Sequence, residues 1–140
     1  MQQNGCNSAA RSSGNEATVA SAGTGGETFT LMLPWPPASL SPNTRQHYMA
    51  LARARKRYRH DCWLSAHAQG VRRIHAERVH VSIRFAPPTR RHYDLDNLLS
   101  RLKSGLDGLA DVLGVDDSRW SLRIEMAEPV KGGSVYVEVS

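Results

Sequence analysis

The chain has 140 residues, 40% hydrophobic and 6% aromatic, which supports one small domain with a modest core, and a second is not expected. Lys and Arg number 18 against 13 Asp and Glu, giving a net charge of +5, and a basic surface of this kind favours a polyanionic partner. No apolar run approaches the ~18 residues of a transmembrane helix, and the N-terminus lacks the basic-then-apolar order of a secretory signal. A soluble, cytoplasmic protein without a membrane partner is expected. Cys6 lies in a polar stretch and Cys62 inside a helical pattern, so a disulfide framework has no support and a reducing compartment fits.

Residues 1–26 are dominated by Ser, Gly, Ala, Asn and Gln, with Arg11 and Glu16 as the only charges, and this composition predicts a disordered tail. Residues 27–140 form the predicted domain and carry the whole positive charge. Phe29, Leu31 and Leu33 alternate with polar residues and run into Pro34-Trp35-Pro36-Pro37, a strand that ends in a stiff loop. Between Thr44 and Gln69, Tyr48, Leu51, Ala52, Tyr58, Cys62, Trp63 and Ala66 recur at helical spacing, with Trp63 expected in the core. Arg53, Arg55, Lys56, Arg57 and Arg59 lie mostly off that stripe, five basic side chains without an acidic partner. Val79, Val81, Ile83 and Phe85 alternate until Pro87-Pro88 stops the ladder. A leucine-rich helix follows. Trp120, Leu122, Ile124 and Met126 then alternate, as do Val135, Val137 and Val139 after Pro129-Val130-Lys131-Gly132-Gly133, which predicts a C-terminal hairpin. The expected fold is α/β of the α+β kind: a small mixed sheet of about four strands packed against two helices, in the order β-α-β-α-β-β.

Tyr93-Asp94-Leu95-Asp96-Asn97-Leu98 stands where the second strand gives way to that helix. Taking about 100° per residue from Asp96, Leu98, Leu99, Leu102, Leu106, Leu109 and Leu113 fall within an arc of about 120°, while Ser100, Lys103 and Asp107 lie within about 40° of Asp96. One face is core and the other polar. Asp96 caps the helix or sits in its first turn, where free N–H groups and the helix dipole favour negative charge. Asp94, two residues earlier in extended chain, is expected on the same side. Two neighbouring carboxylates repel unless a cation lies between them, and hard oxygen ligands suit Mg²⁺ or Mn²⁺. No Cys/His cluster points to zinc, and His60, Cys62 and His67 lack metal spacing.

Each feature has a plainer reading. Asp-x-Asp-Asn before a helix also serves as capping and turn chemistry. Lys103 and Asp107 have the spacing of an ordinary surface ion pair, Asp116-Asp117 after Gly114 reads as a polar turn, and the basic run reads equally as a solvated face.

The ordered set is more specific. Leu33-Pro34-Trp35-Pro36-Pro37, Arg90-Arg91-His92-Tyr93-Asp94-Leu95-Asp96-Asn97-Leu98, Lys103 with Asp107-Gly108-Leu109, Val115-Asp116-Asp117-Ser118 and Lys131-Gly132-Gly133 resemble, in order, the RusA family of Holliday-junction resolvases. The resemblance covers nearly everything from Thr28 onward. It implies a bacterial or prophage homodimer that hydrolyses two opposed strands of four-way branched DNA in recombination and repair, with Mg²⁺ as cofactor and Mn²⁺ as a substitute. Its metal-binding aspartates fall on Asp94, Asp96 and Asp117. The family's lysine stands four residues after the second Asp, where this chain has Ser100. With three residues inserted in the helix, Lys103 takes that place, because it precedes Asp107-Gly108-Leu109 by the family's spacing. The resemblance implies that Lys103 neutralises charge building on the phosphate. Arg90, Arg91, Arg53, Lys56, Arg57 and Lys131 are the candidate phosphate contacts, and strong salt dependence of binding goes with them. The rival readings are a junction-binding protein without nuclease activity and a metal nuclease for flaps and other branched DNA.

Overall fold

The computed structural model describes residues 20–21, 27–42, 45 and 47–140. The predicted tail therefore lies outside the described residues, except for Ala20–Ser21. Those two form a short strand, β1, which pairs antiparallel with the start of β2 (Glu27–Pro34) through Ala20 opposite Thr28 and Ser21 opposite Glu27. The remaining elements are α1 (Tyr48–Ala68), β3 (Val79–Ala86), α2 (Leu95–Leu113), β4 (Trp120–Met126) and β5 (Ser134–Val139). The fold is α+β, a mixed sheet with two helices, and from β2 onward the order is the expected β-α-β-α-β-β, with β1 an added strand from the segment predicted as a disordered tail. Among the described residues no helix is long and apolar enough to cross a membrane.

The strands lie in the order β1-β2-β5-β3-β4. β5 is antiparallel to both neighbours, with Val137 opposite Leu31 on one side and Ile83 on the other, while β4 runs parallel to β3 with Leu122 beside Val81. The expected C-terminal hairpin is therefore absent. Val135, Val137 and Val139 are buried and suit a central strand, whereas β4 alternates apolar residues with Ser121, Arg123 and Glu125 and takes the edge. A parallel neighbour needs a long crossover, which α2 supplies.

Along β3, Val79, Val81, Ile83 and Phe85 are buried and His80 and Arg84 exposed, so the helices cover one face of the sheet. α2 follows its leucine period: Leu98, Leu102, Leu106, Leu109 and Leu113 are buried, with Leu99 half-buried. It ends at Gly114, whose φ of 73° is the left-handed cap conformation. α1 starts later than expected, with His47 Nδ1 accepting from Met49 N (3.2 Å), and buries only Tyr58, Cys62 and Ala66. Tyr48 is exposed. Trp63 is 36% exposed rather than core, since it lies over the outer side of α1 between His60 (5.8 Å) and His67 (4.3 Å).

Two buried acids on α1 make the fold sensitive to alkali. The Tyr58 hydroxyl donates to Pro34 O (2.6 Å), and burial raises its pKa well above the ordinary value, while burial pushes the Cys62 thiol from 9.0 up to about 12. In both cases the unfolded group loses its proton first as pH rises. Their contribution is therefore complete below about pH 9 and is lost as pH rises toward 12. Urea unfolding should show stability falling by an amount on the order of 2 kcal/mol between about pH 9 and 11, and Tyr58→Phe should flatten that slope. A midpoint independent of pH over this window would contradict the burial of both groups.

Candidate active site

Trp35 draws distant segments together beyond the C-terminal end of β3. Its indole meets Phe85 and Tyr93 edge-on (6.2 and 5.7 Å), and the Arg101 guanidinium lies 5.8 Å from its ring. Gly133 closes over it with φ of 74°. A Cβ there would lie 2.9 Å from Trp35 Cγ and 3.0 Å from Pro88 Cδ, so the Lys131-Gly132-Gly133 turn needs glycine for its conformation and for its close approach. The proline-rich loop, the strand leading to the aspartates and the final turn thus meet at one place.

Asp94 occupies the N-cap position of α2 in extended conformation, yet its side chain makes no capping hydrogen bond. Oδ1 instead lies 3.0 Å from His92 Nε2. The carboxylate opens on a cleft of about 270 Å³ that Arg91, His92, Asn97 and Arg101 also line. Asp96 is exposed in the first turn, with Oδ1 accepting from Asn97 N (3.1 Å), and helical phase places it with Ser100, Lys103 and Asp107 rather than in that cleft.

Lys103 is the centre of a second cluster. Its ammonium donates to Asp107 Oδ1 (3.2 Å) and makes a short contact with Asp117, fourteen residues on. These partners, Asp117 first, raise its pKa, so it is held charged. Asp116 instead serves the turn Asp117–Arg119, accepting from the backbone N (3.2 Å) and hydroxyl of Ser118, which hold its carboxyl below the usual range. A cleft of about 300 Å³ beside Lys103 is lined by Arg55, Ser100, Arg101, Ser104 and Asp107.

The predicted site thus assembles in two parts. Among the described residues no three His, Cys, Asp or Glu side chains form a group that could hold a metal ion. Lys103 lies seven residues beyond Asp96, about 10.5 Å of helix rise, and it is Lys103 that engages Asp117. The donor chemistry of Asp94 and Asp96 still fits a hard dication. Both offer carboxylate oxygen, Asp94 spends none of its side chain on capping, and Mg²⁺ commonly takes one or two carboxylates with water and phosphate.

The basic residues divide as well. Arg90 is exposed and 3.4 Å from Glu128, Arg91 lies over the Tyr93 ring (5.1 Å), and Lys131 is exposed on the glycine turn. Arg53 and Arg57 line a cleft of about 490 Å³ with Pro37 and Tyr58, and Lys56 is exposed. Arg59 does not belong to an unpartnered run, since it grips Asp111 across the helix pair at 2.7 and 3.1 Å. Sequence reasoning also missed Arg101. It is 8% exposed, donates to Pro36 O (2.6 Å) and lines both the Asp94 and Lys103 clefts.

No family model matches the chain. An uncharacterized protein of Xylella fastidiosa (strain Temecula1 / ATCC 700964) is 40% identical over 115 residues, which cover 79% of this chain and 75% of that protein. Identity at this level across most of both sequences means shared descent and a shared fold, and the chain belongs to the same family as that Xylella protein.

Proposed function

We propose that this chain is a cytoplasmic, bacterial or prophage-encoded, Mg²⁺-dependent endodeoxyribonuclease that acts as a homodimer on four-way DNA junctions. The observation that carries the reading is the polar face of α2, where Asp96, Lys103 and Asp107 share one side and the chain beyond the helix returns Asp117 to Lys103. A charged lysine held between two carboxylates beside an arginine-lined cleft is suited to receiving a phosphodiester. Asp94 and Asp96 would hold the ion, and Asp117 is a third carboxylate, here bonded to Lys103. When bound, the metal supplies Lewis-acid polarisation of the phosphodiester and activation of water. Lys103 stabilises the negative charge that develops on the phosphate, at a position fixed by Asp107 and Asp117. Arg55 and Arg101 border the same cleft, and Arg90, Arg91, Arg53, Lys56, Arg57 and Lys131 hold the duplex arms through phosphates without reading sequence.

Asp117 is bonded to Lys103, which favours a second reading, a protein that binds junctions without cutting them. Incubation with a mobile four-way junction, a linear duplex and a flap, in Mg²⁺ and in EDTA, decides between them. Paired symmetric nicks confined to the junction and dependent on metal are expected. Tight binding without cleavage would establish the second reading, and equal cutting of flaps would replace junction resolution by general branched-DNA cleavage.

A further inference from the structure

The two edges of the sheet are finished differently. On the β2 side, β1 covers the start of the strand, and further along the Gln69 carboxamide imitates a neighbouring strand. Its Oε1 accepts from Met32 N (2.7 Å) and its Nε2 donates to Met32 O (2.6 Å), with Ser65 Oγ also donating to that carbonyl (3.1 Å). An edge sealed in this way cannot add a strand. On the other side, among the described residues, β4 pairs with β3 alone and leaves its outer edge open. The helices do not reach over it fully either: Leu122 is 46% and Met126 40% exposed, with Ile124 half-buried between them.

The open edge has a defined hydrogen-bonding phase. Ala127 N donates inward to Phe85 O (2.8 Å), so by alternation Glu125 and Arg123 also turn their backbone groups toward β3. Leu122, Ile124 and Met126 turn theirs outward. An antiparallel partner strand can therefore form hydrogen-bonded pairs at those three positions.

The sequence of β4 is self-complementary in that phase. If a second β4 runs antiparallel about a two-fold axis at Ile124, then Ile124 faces its own copy, Leu122 faces Met126, and Arg123 faces Glu125 twice. Shifting the axis to Arg123 or to Glu125 sets like charges against each other, which cross-strand neighbours disfavour. Among the described residues Arg123 and Glu125 make only loose ion pairs, with each other at 3.7 Å and from Arg84 to Glu125 at 3.9 Å, so both remain available. The geometry points to β4 as the surface on which a second copy of this chain docks, edge to edge and antiparallel, centred on Ile124. This is an isologous contact of the kind that closes a two-fold dimer. It rests on the homodimer of the proposed function and names the surface by which two copies meet. A monomeric wild type would count against both, whereas a dimer indifferent to charge reversal at Arg123 or Glu125 overturns this surface alone, and lost cleavage with intact association overturns the nuclease alone.

Light scattering of the full chain after size exclusion, over a dilution series, tests it. The wild type should be dimeric at tens of micromolar. Arg123→Glu and Glu125→Arg each turn two attractive cross-strand pairs repulsive and should weaken association about 30-fold, with unchanged far-UV circular dichroism. Mixing the two variants should restore a heterodimer, because each acidic pair then faces a basic pair. A monomeric wild type would overturn the proposal and leave the edge to a different partner. A dimer indifferent to either substitution, or folded variants that do not recover when mixed, would overturn the register.

Discussion

Replacing Asp94 or Asp96 by asparagine is expected to lower metal-dependent junction cleavage by about 1,000-fold or more, while junction binding in EDTA stays the same or tightens. The amide keeps the size of the side chain and removes the charge that a dication requires. It also removes negative charge from a surface that must approach DNA, so affinity should not fall. The local structure separates this loss from unfolding. Asp94 stands at the N-cap position but its carboxylate makes no capping hydrogen bond, so asparagine removes no hydrogen bond from the helix and only the modest attraction of its charge to the helix N-terminus. Asp96 is exposed and interacts favourably with the helix N-terminus, and its neutralisation costs about 1 kcal/mol at most. Parallel cleavage gels, anisotropy titrations and urea unfolding would read the three quantities. Cleavage at the wild-type rate by either variant would remove these carboxylates from the chemistry, and with them the metal assignment.

α2 and β3 were legible in the sequence because their partners are anonymous: any apolar surface satisfies a leucine stripe at period 3.6 or a valine-isoleucine alternation at period 2. Strand adjacency is not written in the same code. The alternation in β4 and β5, with a glycine turn between them, reads as a hairpin, although Arg123 and Glu125 against the uniformly buried valines of β5 already distinguish an edge strand from a central one. The site shows the same division. Asp96 and Lys103 could be placed by helical phase, because they belong to one continuous helix, whereas Asp94, assigned to the same side by extended-chain alternation, borders the cleft of Arg91 and Arg101 instead. The Lys103–Asp117 contact depends on the path from Gly114 back along α2, and the Arg101–Pro36 hydrogen bond spans 65 residues. No local pattern encodes either. Trp63 was misplaced because a large aromatic at helical spacing looks like core, while the close approach of α2 leaves α1 only a narrow buried strip.

That close approach supports the second large effect. Gly108→Ala should destabilise the domain by about 2–3 kcal/mol, lowering the melting temperature by about 10 °C. In an exposed helix interior the same change would stabilise by about 1 kcal/mol, because alanine loses less backbone entropy than glycine. Here α1 lies against the position. A Cβ on Gly108 would overlap the carbonyl oxygen of Arg59 and stand 3.3 Å from Trp63 N, and both are backbone atoms that cannot rotate away. At Gly105 the obstacles are Tyr58 Cε2 (2.6 Å) and Cys62 Sγ (2.7 Å), on side chains packed in the core. The glycines therefore set the distance between the helices. Pushing α2 outward would also lengthen the Arg59–Asp111 pair, an ion pair that bridges them. Gly132→Ala provides the control, because nothing lies within 4 Å of its added Cβ and only the φ of 79° opposes it, at about 1 kcal/mol. Thermal unfolding of the two variants beside the wild type should rank Gly108→Ala as the more damaging. Equal or greater stability for Gly108→Ala would mean that α1 and α2 do not cross at Gly108. The clefts that hold Asp94 and Lys103 would then have different walls, because Arg55 reaches the Lys103 cleft from α1 and Arg101 reaches both clefts from α2.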